Sequence, residues 1–329
     1  MTRLPFDPAR LTPLGIGGAQ FGNLFRETTD DATRAAIDIA WDNGIRYFDT
    51  APHYGLGLSE RRMGRALGDR PREEYVLSTK VGRLLVDNPE GAGHLDDDGF
   101  IVPATVRRQW DFSRDGIRRS VEESLQRLGV DHIDIAYLHD PDDHWDAAST
   151  TGIEALRELK EEGVVDAIGV GMNQAEMPTA FIRHCDIDVV MIAGRYTLLD
   201  RSAEEELLPA ALEYGVSIVA AGVYNSGLLS TPVVPEDARF NYSPAPRELL
   251  QGARDMAELC RDAGVELPDV AVQFALRHPA VRSVVLGART ADHVVSGVER
   301  SRVEIPEGLW ERLDARADEL AEAARTAER

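Results

Sequence analysis

The feature that most constrains this chain is a repeated alternation. Short apolar, β-branched runs recur at "LTPLGIGGA" (11–19), "IRYFDTA" (45–51), "YVLSTKV" (75–81), "IDIAYLHD" (133–140), "VDAIGVGM" (165–172), "DVVMIAG" (188–194), "SIVAAGV" (217–223) and "RSVVLGA" (282–288). Runs this short and this uniformly apolar predict strands buried on both faces, as in a parallel sheet. Between them lie amphipathic helical patterns such as "DDATRAAIDIAWDNG", "SRDGIRRSVEESLQRLG", "TGIEALRELKEEG" and "AEEELLPAALEYG", each closing on the glycine that suits the position just past a helix. Eight strands alternating with helices, with no Pro/Gly/Ser-rich linker between them, are the arithmetic of a closed (β/α)8 TIM barrel.

A chain of 329 residues, 43% hydrophobic, is long enough to bury such a core as one domain spanning 1–329. The surplus falls in an acidic, glycine-rich insertion near 86–104, a loop near 230–247 and an extra C-terminal helix near 305–325. An open doubly wound sheet is the competing architecture, suggested by "GIGGAQFG" (15–22). Its dinucleotide fingerprint fails, because Gln20 stands where the third glycine belongs and no acidic residue ends a second strand at the required distance.

A net charge of −21 repels polyphosphate backbones and anionic lipid surfaces, so neither nucleic acid nor membrane is expected as a partner. The N-terminal residues lack the apolar segment of a secretion signal, and no apolar run reaches the length of a membrane span, which predicts a cytoplasmic protein. Cys185 and Cys260 lack the paired spacing of a zinc or redox site and read as small apolar residues. No metal site is expected. A monomer or small homo-oligomer is.

In a barrel, reactive side chains come from the C-terminal ends of different strands, which share one mouth. The second strand ends at Asp49 with Tyr54 in the loop beyond, the third at Lys80, the fourth at His139, and Lys80 is one of only two lysines in the chain. A phenol can pass a proton to or from a substrate oxygen, but its ordinary pKa near 10 is too high for easy exchange at neutral pH. An ammonium about 4 Å away lowers it, and a buried ammonium needs a carboxylate to stay charged. The predicted order of dependence is Asp49 to Lys80 to Tyr54, with His139 donating a hydrogen bond that orients the substrate oxygen. Such a site has no activated nucleophile and suits hydride transfer with an organic cofactor. Two other classes compete. A metal-dependent hydrolase is suggested by "HDPDDH" (139–144), although a single loop rarely builds a catalytic metal site. A cofactor-binding protein without turnover is the other.

The segments "FDTAPHYG", "STKVG", "IDIAYLHD" and "IGVGMN" resemble the motifs of the aldo-keto reductase superfamily, over about Leu14 to Val298. The resemblance implies a (β/α)8 barrel holding NAD, with NADP as the alternative, at the C-terminal mouth, and a tetrad of Asp49, Tyr54, Lys80 and His139. Longer stretches, "GGAQFGNLF", "LHDPDDH" and "AGRYTLLD" among them, resemble the aldose 1-dehydrogenase branch, which oxidises C1 of a sugar to a lactone. By the same resemblance, Gly18 and Asn173 contact the cofactor, Asn173 at the nicotinamide carboxamide. Met172, Ala193 and Ala221 depart from the family's serine, glutamine and stacking aromatic, and Tyr224 stands in for the last.

The loop "GVYNSGLL" (222–229), with Tyr224, Asn225, Ser226 and Gly227, is similar to the family's pyrophosphate loop. After the last strand, Gly287 and His293 replace the cations that hold a 2′-phosphate elsewhere in the family, leaving Arg289, which favours NAD. His53, Trp145 and Arg195 are expected to contact a sugar, whose C–H faces stack on aromatic rings and whose hydroxyls need polar partners.

Overall fold

A computed structural model describes residues 6–327 apart from 242. Eight parallel strands close on themselves in sequence order: β1 (Leu14–Gly17), β2 (Tyr47–Asp49), β3 (Val76–Val81), β4 (Ile133–His139), β5 (Val165–Met172), β6 (Val189–Ala193), β7 (Ser217–Ala221) and β8 (Val281–Gly287). All eight predicted runs are barrel strands, and every residue of β3 and β4 is buried, as uniform apolarity requires of strands covered on both sides.

The helices form where their sequences say they should. Thr29 caps Asp30–Asp42 by accepting from the Ala32 amide, and Ser113 caps Arg114–Leu128 by accepting from Gly116. Gly129 and Gly215 take the left-handed conformation that ends the helices before them. Glu307–Ala327 is the extra C-terminal helix, and it packs on helix Arg247–Asp262: its Leu320 lies where a Cβ on Gly252 would stand, and its Arg316 pairs with Asp255 at 2.7 Å.

Two cores result. The larger lies between strands and helices, and the smaller fills the barrel with Tyr47, Val76, Ile135, Tyr137, Val189, Met191 and Val219. The strand register then sets the mouth: Gly17 pairs with Asp49, Asp49 with Ser78, Lys80 with Tyr137 and His139 with Gly171.

The insertion is more ordered than its composition suggests. Arg83–Asp87 and Val106–Trp110 pair antiparallel in a hairpin around it, and a shorter pairing of Arg239–Phe240 with Ser243–Pro244 forms inside the 230–247 loop. Neither was predicted. "VRRQW" has no apolar alternation, and it is a strand because Arg83–Asp87 offers it a backbone partner.

Candidate active site

The turn after β2 places Tyr54. Gly22 and Gly55 meet backbone to backbone, so closely that a Cβ on Gly55 would lie 2.2 Å from the Gly22 carbonyl oxygen, and Gly55 also has φ +63°. Only glycine fits both demands, and the contact locks the loop carrying the phenol.

Below it the relay is assembled. Lys80 Nζ donates to Asp49 Oδ2 at 2.6 Å and to the Thr50 carbonyl at 3.0 Å, and it lies 4.8 Å from the centre of the Tyr54 ring. Ser78, two residues before Lys80 on the same strand face, donates to Asp49 Oδ1 at 2.7 Å. Tyr47 hydroxyl stands 3.0 Å from Ser78 Oγ and 3.2 Å from Tyr137 hydroxyl, so the carboxylate rests on a hydrogen-bonded column rising from the barrel interior. The His139 ring stands perpendicular to Tyr54 at 5.9 Å, and the His53 ring lies 5.4 Å from His139.

Burial alone would strip the proton from Lys80, but the charge of Asp49, and then Tyr54, outweighs it and holds the ammonium above its ordinary range. Burial raises the Asp49 carboxyl, opposed by Lys80 and Ser78. Tyr54 departs from expectation: burial pushes the phenol up, and Lys80 recovers only part of the shift. The ammonium therefore offsets desolvation and does not bring the phenol below its ordinary value. His139 is driven well below its usual range by burial and then by Arg83 and Lys80, and His53 is pushed down to about 2 by burial, Arg83 and Arg108. Both imidazoles are neutral.

The hairpin supplies residues that the sequence reading passed over. Phe100, 2% exposed, packs 6.1 Å from Tyr54 and 5.3 Å from His53. Arg108 holds that segment by donating to Asp96 at 2.6 Å and to the His53 carbonyl at 2.9 Å. Arg83 reaches Asp140 at 2.6 Å and covers the Trp110 ring at 4.3 Å. Ser78 was recoverable from the i, i+2 spacing to Lys80, whereas Phe100, Arg108 and Trp110 lie in a segment without strand patterning.

The expected cofactor residues line one side of the mouth. Asn173 is exposed, its amide donating to Asp140 at 3.0 Å. In the loop after β7, Asn225, Ser226 and Gly227 all have positive φ, and the loop closes on itself, the Asn225 amide donating to the Gly222 carbonyl at 2.9 Å and the Gly227 amide to the Tyr224 carbonyl at 3.0 Å. Asn225 Oδ1 is buried there without a hydrogen-bond partner, while Tyr224 is partly buried beside it. A buried polar atom left without a partner in a loop of small residues at the rim fits a bound dinucleotide. Gly287 lies against Gln20, whose Oε1 is likewise buried without a partner. Gly18 has a packing reason of its own, since a Cβ there would lie 2.5 Å from Ser59 Oγ. Arg289 donates to the Arg26 and Leu24 carbonyls, both at 2.6 Å, and its backbone amide donates to His293 Nδ1 at 3.2 Å.

Of the three residues expected at the substrate, His53 joins the tetrad. Trp145 turns onto Phe181 at 4.9 Å, and Arg195 donates to the Asn173 carbonyl at 2.7 Å and to Asp200 at 2.8 Å.

A phenol beside a caged ammonium, with a neutral imidazole across from it at the mouth of a closed barrel, suits a barrel oxidoreductase. Comparison with known proteins agrees. Residues 13–318 match the profile of the aldo/keto reductase family, and the chain belongs to that family as an NAD(P)-dependent oxidoreductase. It is 48% identical to a D-threo-aldose 1-dehydrogenase from a Pseudomonas species, over 91% of this chain and 92% of that one. It is 36% identical to a pyridoxal 4-dehydrogenase from Microbacterium luteolum, over 92% and 93%. Among solved structures, the holo form of an aldo-keto reductase from Bacillus halodurans superposes with a TM-score of 0.71 at 30% identity, covering 94% of this chain and 91% of that one. No described helix is long and apolar enough to cross a membrane.

Proposed function

We propose that this protein oxidises an aldose at C1 to the lactone, using NAD. The observation that carries the reading is the Asp49–Lys80–Tyr54 relay facing His139 in a chain 48% identical to an aldose 1-dehydrogenase. A nicotinamide held at the rim would supply the hydride acceptor for C1. The residues of the chain handle the proton and the geometry. Tyr54 takes the proton of the anomeric hydroxyl as the C1–O bond becomes a carbonyl, Lys80 stabilises the phenolate that must exist beforehand, and neutral His139 donates to the same oxygen and aligns it. Asn173 and the loop 222–229 hold the cofactor, and Phe100 closes the phenol off from water.

The preference for NAD rests on charge. A 2′-phosphate needs free cations, and the Arg289 guanidinium already serves two carbonyls in a protein of net charge −21. His53, beside His139, faces the sugar. The free thiols of Cys185 and Cys260 suit the reducing cytoplasm. The whole relay comes from one chain, so the protein acts as a monomer or small homo-oligomer of a single catalytic domain. A screen of aldoses and simple alcohols with NAD and NADP, read by absorbance of the reduced nicotinamide and by identification of the product, tests this. A lactone from an aldose with NAD is expected. Tight NADPH binding, weak NAD binding and activity only toward aldehydes or ketones would replace it with a reductase.

A further inference from the structure

The proton relay leaves one ion pair at the mouth without a task. Arg83, the first residue of the hairpin, donates through Nη2 to Asp140 Oδ2 at 2.6 Å, and its Nη1 stands 3.4 Å from His53 Nδ1. Asp140 follows His139 directly and has φ +41°, a left-handed conformation that disfavours any residue with a Cβ. Three contacts hold it there: the Arg83 bond, its own amide donating to the Gly171 carbonyl at 3.0 Å, and Oδ1 accepting from Asn173 Nδ2 at 3.0 Å. The same backbone brings Asp140 Oδ2 to 3.6 Å from His139 Nε2.

We propose that Arg83 and Asp140 are a positioning pair: the carboxylate keeps the single proton of neutral His139 on Nε2 and turns the Asn173 amide, while the guanidinium holds that carboxylate in place and balances its charge beside the ring. The proposal rests on the reading above in which His139 donates to the substrate oxygen.

A neutral imidazole carries one N–H, and a carboxylate facing Nε2 favours the tautomer that puts it there. Unopposed, that carboxylate would also draw a second proton onto the ring. The ring is surrounded by Lys80 from β3, by His53 and Tyr54 from the loop after β2, by Arg83 and Arg108 from the hairpin, and by Asp140 itself. Lys80 is neutralised by Asp49, and Arg108 by Asp96 and Asp98. Arg83 is the cation left to balance Asp140. An imidazolium would sit beside the ammonium on which Tyr54 depends and weaken that arrangement. At Asn173 the logic is simpler. An ionised carboxylate only accepts, so the amide must offer its NH2 and leave its carbonyl oxygen for the ligand, while Arg195 fixes the Asn173 backbone at 2.7 Å from the other side.

The test is 15N NMR of histidine-labelled protein without cofactor or substrate, with His139 assigned from the signal lost in His139→Gln. In the wild type, His139 is expected to carry its proton on Nε2 and not to titrate between about pH 5 and 8. In Arg83→Met the loss of that cation should let the ring protonate at higher pH than in the wild type or Arg83→Lys and weaken the Nε2 preference, and any acid limb of kcat/KM should move the same way. Should Arg83→Met fail to fold by circular dichroism, Asp140→Asn provides the second measurement: the Nε2 preference should be lost without titration appearing. Titration of His139 in the wild type, unchanged shifts in folded Arg83→Met, or an unchanged tautomer in Asp140→Asn would overturn the proposal. Because the NMR sample contains no sugar and no nicotinamide, failure of the aldose reading leaves this result standing, and the reverse also holds.

Discussion

Tyr54 is held between two opposing influences, desolvation that raises its pKa and the Lys80 ammonium that pulls it back. The balance has a visible consequence, because oxidation needs the phenolate and reduction the phenol. With Tyr54 above its ordinary value of about 10, the oxidation rate should climb with pH through about pH 9 to 10 without levelling, while the reverse reaction stays nearly flat from neutral pH upward. Replacing Lys80 with Met removes the downward pull, so the rising limb should move to still higher pH, as a kcat–pH profile would show. Tyr54→Phe should lower kcat by about 10²- to 10⁴-fold while leaving the NAD dissociation constant unchanged in a fluorescence titration. Near-wild-type turnover in that variant would end the proton-transfer account.

At the scale of elements, the hairpin Arg83–Asp87/Val106–Trp110 and the segment it carries convert an open barrel end into a shielded pocket. Phe100 lies against both His53 and Tyr54, and it is tied across the mouth by a bridge to Leu24. Phe100→Ala should let water reach the phenol and relieve the burial that raises it. The expected result is a higher sugar KM, by about tenfold for a lost aromatic contact, with the alkaline limb moved to lower pH. A limb that stays in place would mean that Phe100 does not shield Tyr54. This element was the least legible part of the chain. Barrel strands announce themselves by uniform apolarity, whereas a hairpin over solvent is held by backbone pairing and by Arg108 reaching Asp96, neither of which leaves a periodic trace.

For the whole molecule, function depends on closure: β2, β3 and β4 are neighbours in the sheet, but the pairing of β1 with β8 brings the loops after β7 and β8 round to the same mouth. Closure is tight between β5 and β6, where a Cβ on Gly169 would stand 1.7 Å from the Val189 carbonyl oxygen. Gly169→Ala should destabilise the fold by about 3 kcal/mol, lowering the urea midpoint with an unchanged m-value. Gly171, two residues on, is the control: a Cβ there would meet Lys80 Cε at 3.5 Å and Lys80 Cδ and Tyr137 Cβ at 3.7 Å, all ordinary contacts, so Gly171→Ala should leave the midpoint nearly unchanged.

By itself the sequence determined eight strands, their helices and the strand ends bearing Asp49, Lys80 and His139, because burial on both faces and helix capping are local demands written residue by residue. What only the tertiary structure decided is the state of those groups and who surrounds them. That Tyr54 is raised on balance, that Arg289 already serves two carbonyls, that Trp145 packs on Phe181, and that Arg83 meets Asp140 across 57 positions of chain all follow from desolvation and long-range packing. Those terms depend on distance in space, and separation along the chain carries no record of it.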